Sequence, residues 1–385
     1  MRRMKKILML VACGGCMALC LWSPRSLRSQ AQAQADTPLS QLSKWQSRDY
    51  AGIQYVGSQA CAVCHAGKAA TQAATPMAHA LEPADDVKVL RRNPRLTFRS
   101  GAYRYQILHQ NNRATYTVSD NVTTITEPIL YSFGMGKLGQ TYVFRHNGAL
   151  YESRVTYYES LRGLDFTGGQ QQLVSTTVEE ALGRRLNLED ARSCFGCHAP
   201  SAVSGTELQL DHFTPGVTCE SCHGPGARHL AAVKAGQFDD PQIFNPSKLD
   251  GISLSQEFCG SCHRGFGQVM QLPAQGGANN IRFQPCRIFN SRGHNKRDSR
   301  ISCTACHDPH EEIKRDAAFY DAKCLACHLS DAKQARTAAR MAAACPVGRQ
   351  QCASCHMPKI EQPEMHSKFT DHWIRIVKPG APVPK

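Results

Sequence analysis

The chain has 385 residues, 19 of them cysteine, and a formal net charge of +14 at neutral pH. Its length allows two or three ordinary domains, and so much cysteine excludes an ordinary globular composition and demands a specific use. The basic residues form no dense run beyond the N-terminus, which speaks against nucleic acid as a partner.

Arg2, Arg3, Lys5 and Lys6 precede an apolar stretch from Ile7 to Trp22, and Ala31-Gln32-Ala33-Gln34-Ala35 offers small-residue cleavage sites. This pattern predicts a secretory signal over residues 1–35 and an exported protein, periplasmic or extracellular. Two alternatives stay open: a retained N-terminal membrane anchor, and a lipid-modified start at Cys13 in Leu10-Val11-Ala12-Cys13. No later segment is apolar enough over a sufficient length to span a bilayer.

Residues 36–95 contain Cys61-Ala62-Val63-Cys64-His65, the first of seven Cys-x-x-Cys-His units. Two thiols three positions apart can form thioethers with the two vinyl groups of one haem, and the adjacent histidine then becomes the proximal iron ligand. Zinc binding would not require a histidine after every pair, and disulfides closing such small loops would stabilise little. Thr75-Pro76 predicts a helix start. Met77 or His79 after it is the expected sixth ligand of this first haem. The two lie about 200° apart around a helix, so they cannot both face one iron.

Between His65 and Cys194 lie 128 residues without the motif. Within residues 96–160 the pattern alternates, as in Tyr103-Arg104-Tyr105-Gln106-Ile107-Leu108 and Ala114-Thr115-Tyr116-Thr117-Val118, with turn residues such as His146-Asn147-Gly148 between the runs. A small haem-free antiparallel β subdomain is predicted there. Gly134-x-Gly136-x-x-Gly139 spells a dinucleotide fingerprint but leads into a strand, so it reads as a turn.

Residues 161–385 hold the other six motifs, which makes this stretch a six-haem domain of short helices and Pro/Gly-rich loops. The covalent attachment residues are thus Cys61 and Cys64, Cys194 and Cys197, Cys219 and Cys222, Cys259 and Cys262, Cys303 and Cys306, Cys324 and Cys327, and Cys352 and Cys355. The proximal ligands are His65, His198, His223, His263, His307, His328 and His356. Seven haems carry about 14 propionate charges at neutral pH, which balances the +14 of the polypeptide. Many Arg and Lys side chains are therefore expected to pair with propionates. The expected fold is mainly α, with extensive loops around stacked c-type haems, plus the small β subdomain. Because haem faces replace missing aliphatic surface, haem burial should be part of folding.

Nine histidines remain for the distal positions. His229 and His310 follow motifs across short Gly- or Pro-containing linkers, and His366 and His372 follow the last motif closely, so these four are the leading candidates. His212 and His294 are further candidates. His109 and His146, in the β region, are not expected to ligate. Cys286 and Cys345 lie outside the motifs; they could bridge in an oxidising compartment or stay as two separate thiols.

Several flanking words resemble those of the multihaem cytochromes related to the tetrahaem cytochrome c-554 of nitrification. They are Tyr55-Val56-Gly57-Ser58, Pro215-Gly216-Val217-Thr218-Cys219 through His229, Ile301-Ser302-Cys303 through His310, and Cys352 through Lys359 with Phe369-Thr370-Asp371-His372. The resemblance implies stacked haem pairs and bis-histidine ligation, with His229, His310 and His372 as distal ligands. It also implies a distal ligand in a short helix after the first motif, a slot that Met77 fills here. It does not extend to the β region.

The expected function is electron transfer by a seven-haem c-type cytochrome, with no catalytic residue assigned. The partners are redox proteins, including a membrane-bound oxidoreductase complex or further copies of the chain through haem stacking. The alternatives are a multihaem reductase of a small nitrogen or sulfur oxyanion at one open haem, the first being the candidate, and a subunit of a haem filament.

Overall fold

A computed structural model describes residues 54–272, 277–294, 300–328, 345–378 and 380–383. The signal segment 1–35, with Cys13 and the Ala31–Ala35 cleavage region, lies outside the described residues.

Alternation of side chains across a pleat builds the largest element of the fold. Nine antiparallel strands form one sheet: β1 (Leu81–Pro83), β2 (Arg95–Ser100), β3 (Tyr103–Gln110), β4 (Arg113–Ser119), β5 (Thr124–Phe133), β6 (Gly139–His146), β7 (Ala149–Tyr158), β8 (Gly163–Phe166) and β9 (Gly183–Arg185). Strands β2 to β8 follow one another as a meander, β1 adds to β5, and β9 adds to β7. In β4 the buried set is Ala114, Tyr116 and Val118, every second residue.

The sheet coils because β5 and β7 each serve two sets of neighbours. The first half of β5 pairs with β4; the second half, beyond Pro128, pairs with β6 and β1. A register shift between Ile129 and Tyr131 marks the bend, as expected where a bulge sharpens twist. The first and last strands of the meander then approach: Phe98 of β2 meets Phe166 of β8 edge-on, with ring centroids 5.2 Å apart. The result is a nearly closed, barrel-like sheet. Its interior holds Ile107, Tyr116, Tyr142, Phe144 and Val155, and the short helix Val178–Ala181 contributes Val178 and Ala181 to the same core.

The expectation of a mainly α fold with a small β subdomain is therefore corrected. The barrel-like sheet is the organising element, and strands β1, β8 and β9 lie outside the stretch read as β from its alternation. Those strands are only three or four residues long, too short to display a period of two. Among the described residues the longest helix, Leu188–His198, has 11 residues, and none is long and apolar enough to cross a membrane. The GxGxxG word is the turn between β5 and β6, with Gly134 and Gly136 at φ +87° and +76°.

The outer face of the sheet carries the haem-motif region. Leu81, Tyr131 and Phe133 pack against Phe195, Ala199 and Ala202 at the end of helix Leu188–His198. Elsewhere Tyr158 of β7 meets the ring of His366 at 4.7 Å, in the connection of the hairpin β10 (Lys359–Gln362) and β11 (Ser367–Thr370).

Candidate haem-bearing site

All seven motifs end on short helices or helical turns. The His65, His307 and His328 N–H groups donate to the carbonyls of Cys61, Cys303 and Cys324 at 2.9, 2.9 and 3.0 Å. A single helical turn thus places the two cysteines and the histidine on one side. Local caps start these turns. Thr218 and Ser221 form a capping box before Cys219, and Asn187 accepts from the Asp190 N–H at the head of the second motif's helix. The fourth motif is entered through a π-helical stretch, Ser253–Cys259, and left at Arg264, whose φ is +66°.

The motif helices form a contiguous chain. Helix Ser58–Ala62 packs on Cys219–His223, Cys303–Cys306 packs on Ser253–Cys259 and on Ala317–Leu325, and Ala317–Leu325 packs on Cys352–His356. Leu188–His198 branches onto Gly260–His263. Cysteines of neighbouring motifs lie close enough to influence one another in three pairs: Cys61 with Cys219, Cys259 with Cys303, and Cys324 with Cys352. Cys222 also lies in the neighbourhood of Cys259, and Cys306 in that of Cys324. The motifs therefore follow the spatial order first, third, fourth, fifth, sixth, seventh, with the second attached at the fourth.

Histidines face one another across this chain. A metal–imidazole bond is about 2 Å, so two imidazoles sharing one metal hold their ring centres roughly 6 Å apart. The centroids of His65 and His229 are 6.3 Å apart, those of His223 and His310 6.0 Å, and those of His307 and His372 6.3 Å. Each pair joins a motif histidine to a candidate distal histidine.

Tautomers fit as well. The Nδ1–H groups of His198, His223 and His356 donate to the carbonyls of Ala80, Phe244 and Arg375 at 2.8, 3.0 and 3.1 Å. Those of His229 and His372 donate to Pro241 and Thr370 at 2.6 and 2.9 Å. A carbonyl only accepts, so Nδ1 carries the proton and Nε2 keeps its lone pair for a metal. Burial pushes the imidazoles of His198, His263 and His307 below their ordinary pKa, and that of His372 down to about 4. They are thereby neutral, the form that ligates.

Among the described residues no disulfide joins any cysteines, and no three or more Cys, His, Asp or Glu side chains converge as a metal-holding cluster. Each cysteine pair shares one helical turn with its histidine, as two thioethers to one haem would need. The residues fit covalently held haem.

Other candidates stand elsewhere. The ring that faces His65 is that of His229, and His79 Nδ1 bonds Glu82 at 2.7 Å. His366, a leading distal candidate, directs Nε2 to Asp165 at 2.8 Å and its ring to Tyr158. His212 is exposed. His294 is buried, with Nδ1 bonded to the Ile301 carbonyl at 2.6 Å and Nε2 beside Gln256. His109 and His146 lie in the sheet beside the Asp85 carbonyl and Glu127. The Cys286–Cys345 bridge is not formed: Cys286 is buried in helix Gln284–Phe289, whereas Cys345 is exposed.

The sequence reading missed the polar groups that fix these elements. Asp371, next to His372, is fully buried and accepts from Arg287 at 2.8 Å through each oxygen and from Arg375 at 2.6 Å. Burial raises its pKa, but these bonds and the Trp373 N–H outweigh that and hold it below the usual carboxylate range. Arg287, Asp371 and Arg375 are far apart or unremarkable in sequence, and only Asp371, through the Phe-Thr-Asp-His word, carried any signal.

Residues 167–224 match the family described as cytochrome c554 and c-prime. The matched stretch holds the second and third motifs and helix Leu188–His198. No curated protein and no solved structure gives a significant match. Over the matched stretch the chain is similar to c-type cytochromes of electron transfer with covalently bound haem.

Proposed function

We propose that the chain is a seven-haem c-type cytochrome that carries electrons along its motif helices, exported to the cell envelope or beyond. The contiguity of the motif helices, with histidine pairs facing across them at 6.0 to 6.3 Å, is the observation that carries this reading. When bound, haem supplies a one-electron redox centre. The cysteine pairs would hold it by two thioethers each, and the motif histidines would ligate its iron. His229, His310 and His372 would supply second ligands, with Nδ1 of His229 and His372 anchored on backbone carbonyls. The facing of His229 with His65 supports a filled sixth position at the first motif, so the reductase reading gains nothing there. Redox proteins are the partners this reading needs. The barrel is a haem-free support on which the second motif rests.

The intact mass of the exported protein tests the number. The expected result is one polypeptide, starting near Asp36, plus seven haems, with low-spin absorption. A colourless protein, a zinc-loaded one or a smaller haem number overturns it.

A further inference from the structure

Three of the helix packings join the first motif to the third, the fourth to the fifth and the sixth to the seventh. Each of these pairs has, in addition, one buried polar side chain that reaches from one motif's segment to the backbone at the head of the other motif's helix. Glu220, between the cysteines of the third motif and only 3 % exposed, accepts from the N–H groups of Val56 and Gly57 at 2.9 Å each, just ahead of helix Ser58–Ala62. It also accepts from the Gly226 N–H at 2.7 Å, in the linker that leads to His229. Ser255, fully buried four residues before Cys259, accepts from the Cys303 N–H at 3.2 Å. Asp321, three residues before Cys324 and buried, accepts from the N–H groups of Gln351 and Cys352 at 2.6 and 2.8 Å.

Helix N-terminal N–H groups lack intrahelical partners and are normally capped by the residue just before the helix. The helices headed by Ser58, Cys303 and Cys352 have no side-chain cap of their own, and Gly57 and Gln351 at two of the cap positions have positive φ. The cap comes from the neighbouring motif instead. Among the described residues neither Glu220 nor Asp321 takes part in an ion pair; backbone N–H groups satisfy both carboxylates, and Asp321 also lies against the Cys352 thiol. Such charge-assisted bonds are short, directional and costly to leave unmade.

From this thrice-repeated contact we infer that Glu220, Ser255 and Asp321 are positioning residues, each fixing the spacing and relative tilt of the two haems in its own pair. The inference rests on the seven-haem reading. Each residue acts through the motif helix it caps and touches no iron ligand. Their common role is electronic: two haems held at fixed separation interact magnetically and split in potential, and a loosened clamp changes that pair alone.

The test uses the exported holoprotein and the variants Glu220→Gln, Ser255→Ala and Asp321→Asn, with Ser255→Thr as the hydroxyl-retaining control. Haem number is read from intact mass; spin coupling and midpoint potentials are read by electron paramagnetic resonance and redox titration. The expected result is full haem content, with two haems shifted in potential and in coupled signal in each variant, a different two each time, and Ser255→Thr restored to the parent signature. Full haem content with unchanged coupling and potentials overturns the inference. So does a change spread over all haems, or a uniform loss of haem, which marks a role in general stability. Asp321→Glu, which keeps the charge and lengthens the reach, decides the sixth–seventh pair if Asp321→Asn fails to mature: it too must shift that pair. An unsubstituted protein with fewer than seven haems sinks the underlying reading instead, independently of the variants.

Discussion

His229 sits six residues beyond His223 in sequence, yet faces the ring of His65. Replacing it, as His229→Ala, is expected to leave haem content unchanged while one haem becomes high-spin and binds carbon monoxide on reduction. His366→Ala is expected to leave the visible spectrum as it was, because Asp165 holds that ring. At Asp371 the issue is stability. Asp371→Asn leaves the buried Arg287 guanidinium without its carboxylate and should cost about 3 kcal/mol, measurable by denaturant titration of the holoprotein. At this scale the sequence displayed residue types well and partnerships poorly. Seven repeated Cys-x-x-Cys-His words announce themselves because all their chemistry is local. A distal histidine owes its role to a tertiary contact, so proximity to a motif favoured His366 and His372 equally, although their surroundings differ. Glu220 occupies a variable position of a motif, and nothing in its neighbours signals the distant Val56 and Gly57 it binds.

Secondary-structure elements divide by what stabilises them. The barrel has an aliphatic and aromatic core of its own, in which Ile107 is fully buried and no motif residue takes part. Ile107→Ala should therefore cost about 3 kcal/mol in the melting of the sheet, followed by far-ultraviolet circular dichroism, with haem absorption unchanged at temperatures below that transition. The contact between the segment after the first motif and the approach to the third is of another kind. Gly216 has φ +75°, and a Cβ there would lie 1.9 Å from the Ala78 carbonyl oxygen. Gly216→Ala should displace the Met77–Ala80 turn, losing the Val217 N–H to Met77 carbonyl bond, and hydrogen exchange at Val217 is expected to accelerate. The core of the meander was legible because β3 and β4 run long enough to show their alternation. The motif helices were legible only as motifs: at four or five residues most of them are too short for any period to show.

For the whole molecule, the barrel and the motif region should part company when haem is withheld. Full-length chain produced without haem attachment is expected to keep a protease-resistant core close to Leu81–Arg185, while the motif segments, which bury little aliphatic surface, are digested. Resistance extending through Cys303–His372 would count against haem as the second core. The three facing histidine pairs also run in one direction along the chain: the ring opposite His65 follows the third motif, that opposite His223 follows the fifth, and that opposite His307 follows the seventh. On the proposed reading, synthesis would deliver the second histidine of each of these three pairs late, after a further attachment word has emerged. A premature stop codon late in the gene would then be felt upstream, since losing His372 would take away the ring that faces His307, and an earlier stop would also take away the one that faces His223. Truncation from the C-terminus should consequently open sites one at a time, in reverse order of their appearance.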